Sequence, residues 1–379
     1  MTTAGKHRTT SEVVAEEYRG EARELAQERL DEDRAREVLL RVNSLSVTLF
    51  TEDGHLPAIT DLSFVMRKGE TLAVVGESGC GKSMCALSIM GLLPQPPAKV
   101  TDGSIELGGV DMVKLTAEEM RQYRGSKIGM IFQEPMTSLN PVMTAGRQIR
   151  EGLLVHNPKM GKRQADERAL EMIRLVGIPA PEKVFKSYPH ELSGGMRQRI
   201  MIAMALASRP SLLICDEPTT ALDVTIQAQI IELMKKMQEE NGNAIIMITH
   251  DLGVVADVAD KIMVMYAGTP VEFGTADEIF YDSIHPYTWG LTRSIPDPVQ
   301  DEKKPLTPIE GNPPSLVNVP EGCAFSPRCP YATPRCRSER PELHVTETGH
   351  YACCHYAGDA EFVKANAPAT SRAKEGGEA

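Results

Sequence analysis

Apolar and polar residues begin to alternate regularly near Leu39. The alternation over residues 45–49 and 62–66 has the period of a half-buried strand, so these segments predict paired antiparallel strands. The residues before Leu39 are mostly Glu, Asp, Arg, Ala and Thr, with few large apolar positions. They predict a solvated extension that is partly helical or disordered.

Short runs that are apolar at nearly every position occur at residues 71–75, 212–215 and 244–248. Such runs are typical of strands that are buried on both faces of a sheet. Helical stretches are predicted at about 83–92, 199–207 and 226–239. Buried strands that alternate with helices predict an α/β domain with a mainly parallel sheet.

The same patterns divide the chain into segments. We predict a charged N-terminal extension over residues 1–38, a main domain over 39–284 with a helical insertion at about 134–190, a C-terminal region over 285–356, and a small, polar, disordered tail over 357–379. The many prolines beyond His285 predict an extended crossing there rather than further sheet.

Length and charge narrow the possible functions. The chain has 379 residues, which is longer than a single core usually grows. Its net charge of −11 argues against nonspecific binding to nucleic acid or to an acidic lipid surface, because both need a positive field.

No apolar run approaches the roughly 18–20 residues of a membrane-spanning helix, and residues 1–20 lack the apolar core of a secretory signal. We therefore expect a cytosolic protein, and any membrane process that it serves needs another chain to cross the bilayer.

The strongest chemical motif directly follows the first buried strand. Residues 76–83, GESGCGKS, fit the phosphate-loop pattern G-x-x-x-x-G-K-[ST] between a strand and a helix. The glycines let backbone N–H groups converge on phosphate oxygens, Lys82 can reach the β- and γ-phosphates, and Ser83 can bind Mg²⁺. The predicted ATP contacts in this segment are Gly76, Ser78, Gly79, Cys80, Gly81, Lys82, Ser83 and Met84.

An acidic pair, Asp216 and Glu217, follows the second buried strand. The end of a parallel strand delivers these side chains to the same sheet edge as the phosphate loop. We predict that Asp216 holds Mg²⁺ and that Glu217 is the general base for the attacking water. An acidic pair after a strand is more often a helix cap, and the presence of Lys82 and Ser83 favours the catalytic interpretation.

Residues 192–199, LSGGMRQR, resemble the signature sequence of ABC-transporter ATPases. Ser193, Gly194 and Gly195 at a helix start would form a second anion-binding N-terminus. One nucleotide cannot easily meet two such helix starts in one subunit. The resemblance implies that ATP lies between the phosphate loop of one subunit and the signature of its partner.

The same resemblance implies the fold and the remaining site residues. The fold is an ABC-type P-loop ATPase domain with an antiparallel β subdomain and a helical subdomain, followed here by a small Cys-rich C-terminal region. Gln133 would sense Mg²⁺ and the membrane partner, and His250 would contact the γ-phosphate during catalysis. Phe50 is similar to the aromatic residue that stacks on adenine, although it could equally belong to the core.

Within this superfamily, residues 133–141, 285–288, 294–296 and 311–314 resemble the ATP-binding subunits of oligopeptide and dipeptide importers. The likeness spans about residues 39–356 and implies ATP hydrolysis that powers peptide import. It implies a homologous, non-identical second ATPase, two transmembrane permease subunits and an extracellular or periplasmic substrate-binding protein, with this chain peripheral on the cytoplasmic face of the membrane.

Two other functions stay open at this point. Relatives in this group also import nickel or glutathione. A soluble ABC ATPase that works on DNA or ribosomes is less favoured, because such proteins usually carry long coiled coils or two fused ATPase halves. This chain has one set of motifs and no sustained heptads.

Cysteines crowd into the C-terminal region at Cys323, Cys329, Cys336, Cys353 and Cys354. They could form disulfides, free thiols, a zinc site or an iron–sulfur site, and the cytosol disfavours disulfides. Four thiolates suit either metal site, and the C-x₂-C pairs usual in zinc knuckles are missing. The family resemblance favours a [4Fe–4S] cluster on Cys323, Cys329, Cys336 and Cys354, with Zn²⁺ as the alternative.

Overall fold

A computed structural model of the chain describes residues 36–52, 54–134, 138–219, 223–294 and 308–368. The chain divides into two units, Met1–Val38 and Leu39–Ala379. Nearly all of the predicted N-terminal extension lies outside the described residues, as does the end of the predicted tail, 369–379.

The strands in chain order are β1 (Val38–Thr51), β2 (Gly54–Arg67), β3 (Thr71–Val75), β4 (Ala98–Leu107), β5 (Val110–Asp111), β6 (Ile128–Ile131), β7 (Leu212–Asp216), β8 (Ala244–Ile248), β9 (Lys261–Tyr266), β10 (Thr269–Thr275), β11 (His344–Val345) and β12 (Tyr351–Ala352).

The helices in chain order are α1 (Lys82–Ile89), α2 (Ala117–Tyr123), α3 (Ala145–His156), α4 (Lys162–Leu175), α5 (Pro181–Lys186), α6 (Gly194–Ala207), α7 (Val224–Asn241), α8 (Leu252–Val258), α9 (Ala276–Tyr281), α10 (Pro286–Arg293), α11 (Pro334–Ser338) and α12 (Ala360–Asn366). Short 3₁₀ turns cover Met112–Lys114 and Pro189–Glu191. Among these described helices, none has the length and apolar character that crossing a bilayer requires.

A four-stranded sheet has the order β2-β1-β4-β5. β1 and β4 run antiparallel, with Leu40 opposite Leu107. The alternating apolar residues of β1 and β2 point into a core, where Leu40, Val47 and Leu62 are fully buried. The predicted strands over residues 45–49 and 62–66 are confirmed, because they lie within β1 and β2.

The larger sheet has eight strands in the order β11-β12-β10-β9-β3-β8-β7-β6. The strands from β9 to β6 run parallel, whereas β10, β12 and β11 continue the sheet antiparallel at one edge. Every residue of β3, β7 and β8 is buried, as their continuous apolar runs predict. The prediction of an α/β domain with a mainly parallel sheet is confirmed.

In the described part of the chain, the α-helices between β6 and the signature helix α6 are α3, α4 and α5. The two longer helices, α3 and α4, each turn one apolar stripe inward: in α4 this stripe is Ala165, Ala169, Met172 and Ile173, which recur at helical spacing. The three helices pack on one another, and α3 and α4 also pack on α6. They lie inside the helical insertion predicted at about 134–190, of which residues 135–137 lie outside the described ranges.

The expectation of an extended crossing without further sheet beyond His285 is wrong in two places. Helix α10 begins at Pro286, where a proline fits the first helical position because its missing N–H would be unpaired there anyway. His285 caps this helix by accepting a hydrogen bond from the N–H of Tyr287. Farther along, β12 pairs with β10 and extends the main sheet.

The expectation of a disordered tail from residue 357 is wrong for residues 360–366, which form α12. Asp359 caps the helix, and the ring of Phe362 packs against Trp289, Tyr331 and Tyr356. One aromatic anchor therefore docks a segment whose small, polar composition predicts disorder.

Candidate active site

The phosphate loop connects the end of β3 to the start of α1, and its glycines are required by its shape. Gly76 has a φ of 145°, and a Cβ atom there would lie 2.2 Å from the carbonyl oxygen of Met265. Gly81 has a φ of 103°, and its Cβ would lie 2.7 Å from the carbonyl oxygen of Ala58. Contacts this short exclude any side chain, so strand packing and backbone conformation both impose glycine.

The Lys82 side chain is buried inside this loop. Its ammonium group donates to the carbonyl oxygens of Gly76 at 2.7 Å and Glu77 at 2.9 Å. The loop therefore holds the Lys82 ammonium group at the point where the backbone turns toward α1.

Asp216, the last residue of β7, is almost completely buried. Burial raises the pKa of its carboxyl, and a hydrogen bond from the Ser83 hydroxyl acts against that rise. Its Oδ1 atom is buried without a hydrogen-bond partner in the described part of the chain. An unpartnered carboxylate oxygen beside a serine hydroxyl fits the oxygen ligands that Mg²⁺ prefers.

Glu217 follows at the end of β7 in the left-handed conformation, with a φ of 48°. Its N–H donates to the carbonyl oxygen of Ile248 at 2.9 Å, which fixes the turn against β8. One carboxylate oxygen accepts from Gln133 Nε2 at 3.2 Å, and the other lies 3.4 Å from His250 Nδ1. A strained backbone of this kind is often found at functional sites.

The residues predicted from three distant motifs therefore meet at one sheet edge. Gln133 follows β6, Glu217 follows β7 and His250 follows β8, and these strands are neighbours in the sheet. His250 is largely exposed, so its ring is accessible from outside the sheet.

The signature residues stand at the start of α6. Ser193 caps this helix by accepting from the N–H of Met196 at 3.3 Å, and Gly194 and Gly195 form its first turn. The hydrogen bonds of Ser193 stay within this helix start. The structure does not join the signature to the phosphate loop of its own chain through these bonds.

Phe50 lies near the end of β1 and is exposed, with its ring packed edge-on against His55 at 4.6 Å between centroids. Met84 lies in the first turn of α1 and is partly buried. The interpretation of Phe50 as a core residue is not supported, and an exposed ring leaves a face for stacking.

Comparisons with known proteins show the family to which this chain belongs. The family model described as "ABC transporter" matches residues 59–220, and the one described as "Oligopeptide/dipeptide transporter, C-terminal region" matches residues 271–336. The chain is 54% identical over 313 residues to the oligopeptide transport ATP-binding protein OppD of Bacillus subtilis, which covers 83% of this chain and 87% of that protein. It belongs to the family of oligopeptide and dipeptide ABC-transporter ATP-binding proteins.

Other members and solved structures extend the comparison. The dipeptide transport ATP-binding protein DppD of Escherichia coli is 48% identical over 321 residues, covering 85% of this chain and 97% of that protein. A dimeric ATP-binding cassette, MJ0796, in a post-hydrolysis state bound to ADP and Pi has a TM-score of 0.58 and 28% identity, covering 63% of this chain and 99% of that chain. The predicted ABC ATPase fold is confirmed.

The C-terminal region of this ABC-transporter ATPase reaches the phosphate loop, which no sequence pattern predicted. A cavity of about 340 Å³ beside the loop is lined by Leu56, Glu77, Ser78, Gly79, Cys80, Tyr266, Ala267, Pro313, Pro314, Ser315 and Leu316. In addition, Arg328 pairs with Glu77, which is 251 positions earlier in the chain. Neither contact has a local signal, because each depends on how distant segments pack.

The predicted cysteine ligands line one small cavity. Cys323, Cys329, Cys336 and Cys354 contribute to its wall, and Cys353 is not among the lining residues. Burial raises the pKa of the Cys329 thiol to about 11 and that of Cys354 to about 12. Over the described ranges, no group of at least three His, Cys, Asp or Glu residues is arranged to hold a single metal ion. The Cys-rich metal site is therefore not confirmed.

Proposed function

We propose that this chain binds and hydrolyses ATP to power peptide import through a membrane permease. The observation that carries the proposal is the meeting of Gln133, Glu217 and His250 beside the buried Asp216. This arrangement occurs in a chain that is 54% identical to a protein named for oligopeptide transport.

ATP binds at the phosphate loop. Backbone N–H groups of Ser78–Ser83 and the N-terminus of α1 hold the phosphates. Lys82 gives up its hydrogen bonds to the loop carbonyl oxygens and binds phosphate oxygens instead. Phe50 stacks on the adenine ring. Ser83 and Asp216 offer oxygen atoms of the kind that Mg²⁺ prefers, which supports their assignment as Mg²⁺ ligands. Gln133 is assigned to the same ion. Bound Mg²⁺ would neutralise charge on the β- and γ-phosphate oxygens.

Glu217 is the general base that takes a proton from the attacking water. Its hydrogen bond from Gln133 and its closeness to His250 hold the carboxylate in one position. A base that is already oriented reduces the reorganisation needed when the γ-phosphate is attacked. His250 contacts the γ-phosphate from the neighbouring strand end.

Hydrolysis needs a second subunit. Ser193, Gly194 and Gly195 present the start of α6 to ATP that is bound by the phosphate loop of the partner, and the partner does the same in return. The dimeric form of MJ0796 with ADP and Pi supports this arrangement. The partner is a homologous and non-identical ATPase.

The complete transporter has further subunits. A pair of permease subunits crosses the membrane, a substrate-binding protein delivers the peptide outside, and this chain is peripheral on the cytoplasmic face. The match of residues 271–336 to the C-terminal region of oligopeptide/dipeptide transporters favours peptide over nickel or glutathione, and favours a transporter over a soluble ABC ATPase.

Cys323, Cys329, Cys336 and Cys354 would hold a [4Fe–4S] cluster, with Zn²⁺ as the alternative. Support comes from the convergence of Cys323, Cys329, Cys336 and Cys354 on one cavity from which Cys353 is excluded. A positively charged metal centre would offset the burial that raises the thiol pKa values. The role is structural.

Replacing Glu217 with Gln should leave ATP binding intact and lower hydrolysis by about 10²- to 10⁴-fold, because only the proton acceptor is lost. ATP binding and turnover should be measured on the same assembled transporter. Lys82→Ala is the contrasting variant, since it should weaken ATP binding itself. Turnover near the wild-type rate in Glu217→Gln would remove Glu217 from the role of base.

Reconstitution of the whole transporter in vesicles tests the cargo. With the permease, the partner ATPase and the substrate-binding protein present, MgATP should drive accumulation of a labelled oligopeptide, and ATP hydrolysis should exceed that of the isolated chain. Nickel and labelled glutathione serve as competing cargoes. Accumulation of either one without the peptide would contradict peptide import, and full hydrolysis by a demonstrated monomer would contradict the shared site.

Anaerobically purified protein should be brown and contain iron and acid-labile sulfide in about equal amounts. Replacing any one of Cys323, Cys329, Cys336 and Cys354 with Ser should bleach it, and the matched control Cys353→Ser should not. Stoichiometric zinc without sulfide would replace the cluster by a zinc site. A colourless, metal-free protein of full activity would contradict both.

A further inference from the structure

An arginine in the C-terminal region pairs with a carboxylate in the phosphate loop. Arg328 Nη1 lies 2.5 Å from one oxygen of Glu77, and Nη2 lies 2.9 Å from the other. The Arg328 side chain is only 4% exposed. A two-point bond between a planar guanidinium and a carboxylate fixes direction as well as distance.

The remaining donors of Arg328 are also occupied. Nη1 donates to the Tyr266 hydroxyl at 3.3 Å, Nη2 to the Ile309 carbonyl oxygen at 3.3 Å, and Nε to the Glu310 carbonyl oxygen at 2.9 Å. Since a guanidinium has five N–H donors, each has an acceptor. Arg328 is therefore held in one orientation, and it joins the phosphate loop to the end of β9 and to the segment that leads into Pro313–Leu316.

Glu77 connects this arginine to the lysine of the loop. Its N–H donates to the Tyr287 hydroxyl at 3.0 Å, and its carbonyl oxygen accepts from Lys82 at 2.9 Å. The carboxylate and the N–H of Glu77 are thus both bound by residues beyond position 285. The ring of Tyr287 packs against Tyr266 and Phe325, which gives these contacts a buried aromatic support.

We propose that Arg328 is a positioning residue for the nucleotide site, and that it keeps the phosphate loop in its ATP-binding shape by holding Glu77. The inference rests on the proposed ATPase function. It assigns to the C-terminal region a direct effect on ATP affinity.

The Arg328–Glu77 pair is far less exposed than the Arg335–Glu339 pair of the same region. Arg335 and Glu339 form a pair whose side chains are 61% and 59% exposed, and such pairs contribute little. Removing Arg328 leaves the Glu77 carboxylate without its cation, and a partly buried charge that loses its partner is strongly unfavourable. That charge would also repel the phosphates of ATP. In a chain that lacks Arg328, changing Glu77 to Gln removes this negative charge.

The test measures the Kd for MgATP on the full chain and the KM and kcat for ATP on the assembled transporter. Arg328→Ala should raise both Kd and KM by roughly tenfold, a usual size for coupling between two sites, and change kcat much less. Arg328→Lys should give a smaller increase. The double variant Arg328→Ala with Glu77→Gln should bind ATP more tightly than Arg328→Ala alone. Arg335→Ala is the matched control and should bind ATP like the wild type.

A folded Arg328→Ala protein with wild-type Kd and KM would overturn the proposal. A double variant whose fold-increase in Kd equals the product of the fold-increases of the two single variants would also overturn it, because the two residues would then act independently. If Arg328→Ala does not fold, the Kd for MgATP of Arg328→Lys and of Glu77→Gln tests the proposal instead. Wild-type Kd values in both variants would overturn the proposal. Failure of the wild type to bind MgATP would instead contradict the proposed function.

Discussion

The parallel pairing of β3, β8 and β7 is the constraint on which the candidate site depends. The phosphate loop follows β3, the acidic pair lies at the end of β7 and just after it, and His250 follows β8, so residues far apart in the chain emerge at one edge. These strands are buried at every position. A change that shifted their register would therefore cost core burial and separate Lys82 from Asp216 at the same time.

A second constraint acts from the other side of the phosphate loop. The aromatic cluster of Tyr266, Tyr287 and Phe325 packs the C-terminal region against β9, next to the strand that carries the loop. Arg328 and Cys329 are adjacent, so the segment that contacts the loop also lines the cysteine cavity. The nucleotide site and the cysteine cavity therefore share structural support, although each would have its own chemistry.

Much of the candidate site could be predicted because its signals are local. The phosphate loop, the acidic pair and the signature each occupy a few consecutive residues, and buried strands or helix starts flank them. The Glu77–Arg328 pair could not be predicted, since no pattern relates residues that only packing brings together. Two C-terminal elements were missed for different reasons. The many prolines predict an extended chain where α10 begins at Pro286. The small, polar residues around Phe362 predict disorder where α12 forms.

This sheet edge is proposed to bind the metal–nucleotide complex through Asp216 and Ser83. Electron paramagnetic resonance of Mn²⁺ bound with ATP to the slow variant Glu217→Gln measures this directly, because Mn²⁺ accepts the same oxygen ligands as Mg²⁺. Adding Asp216→Asn should weaken Mn²⁺ binding by about 10- to 100-fold while ATP is still bound. An unchanged affinity for Mn²⁺ would contradict the account.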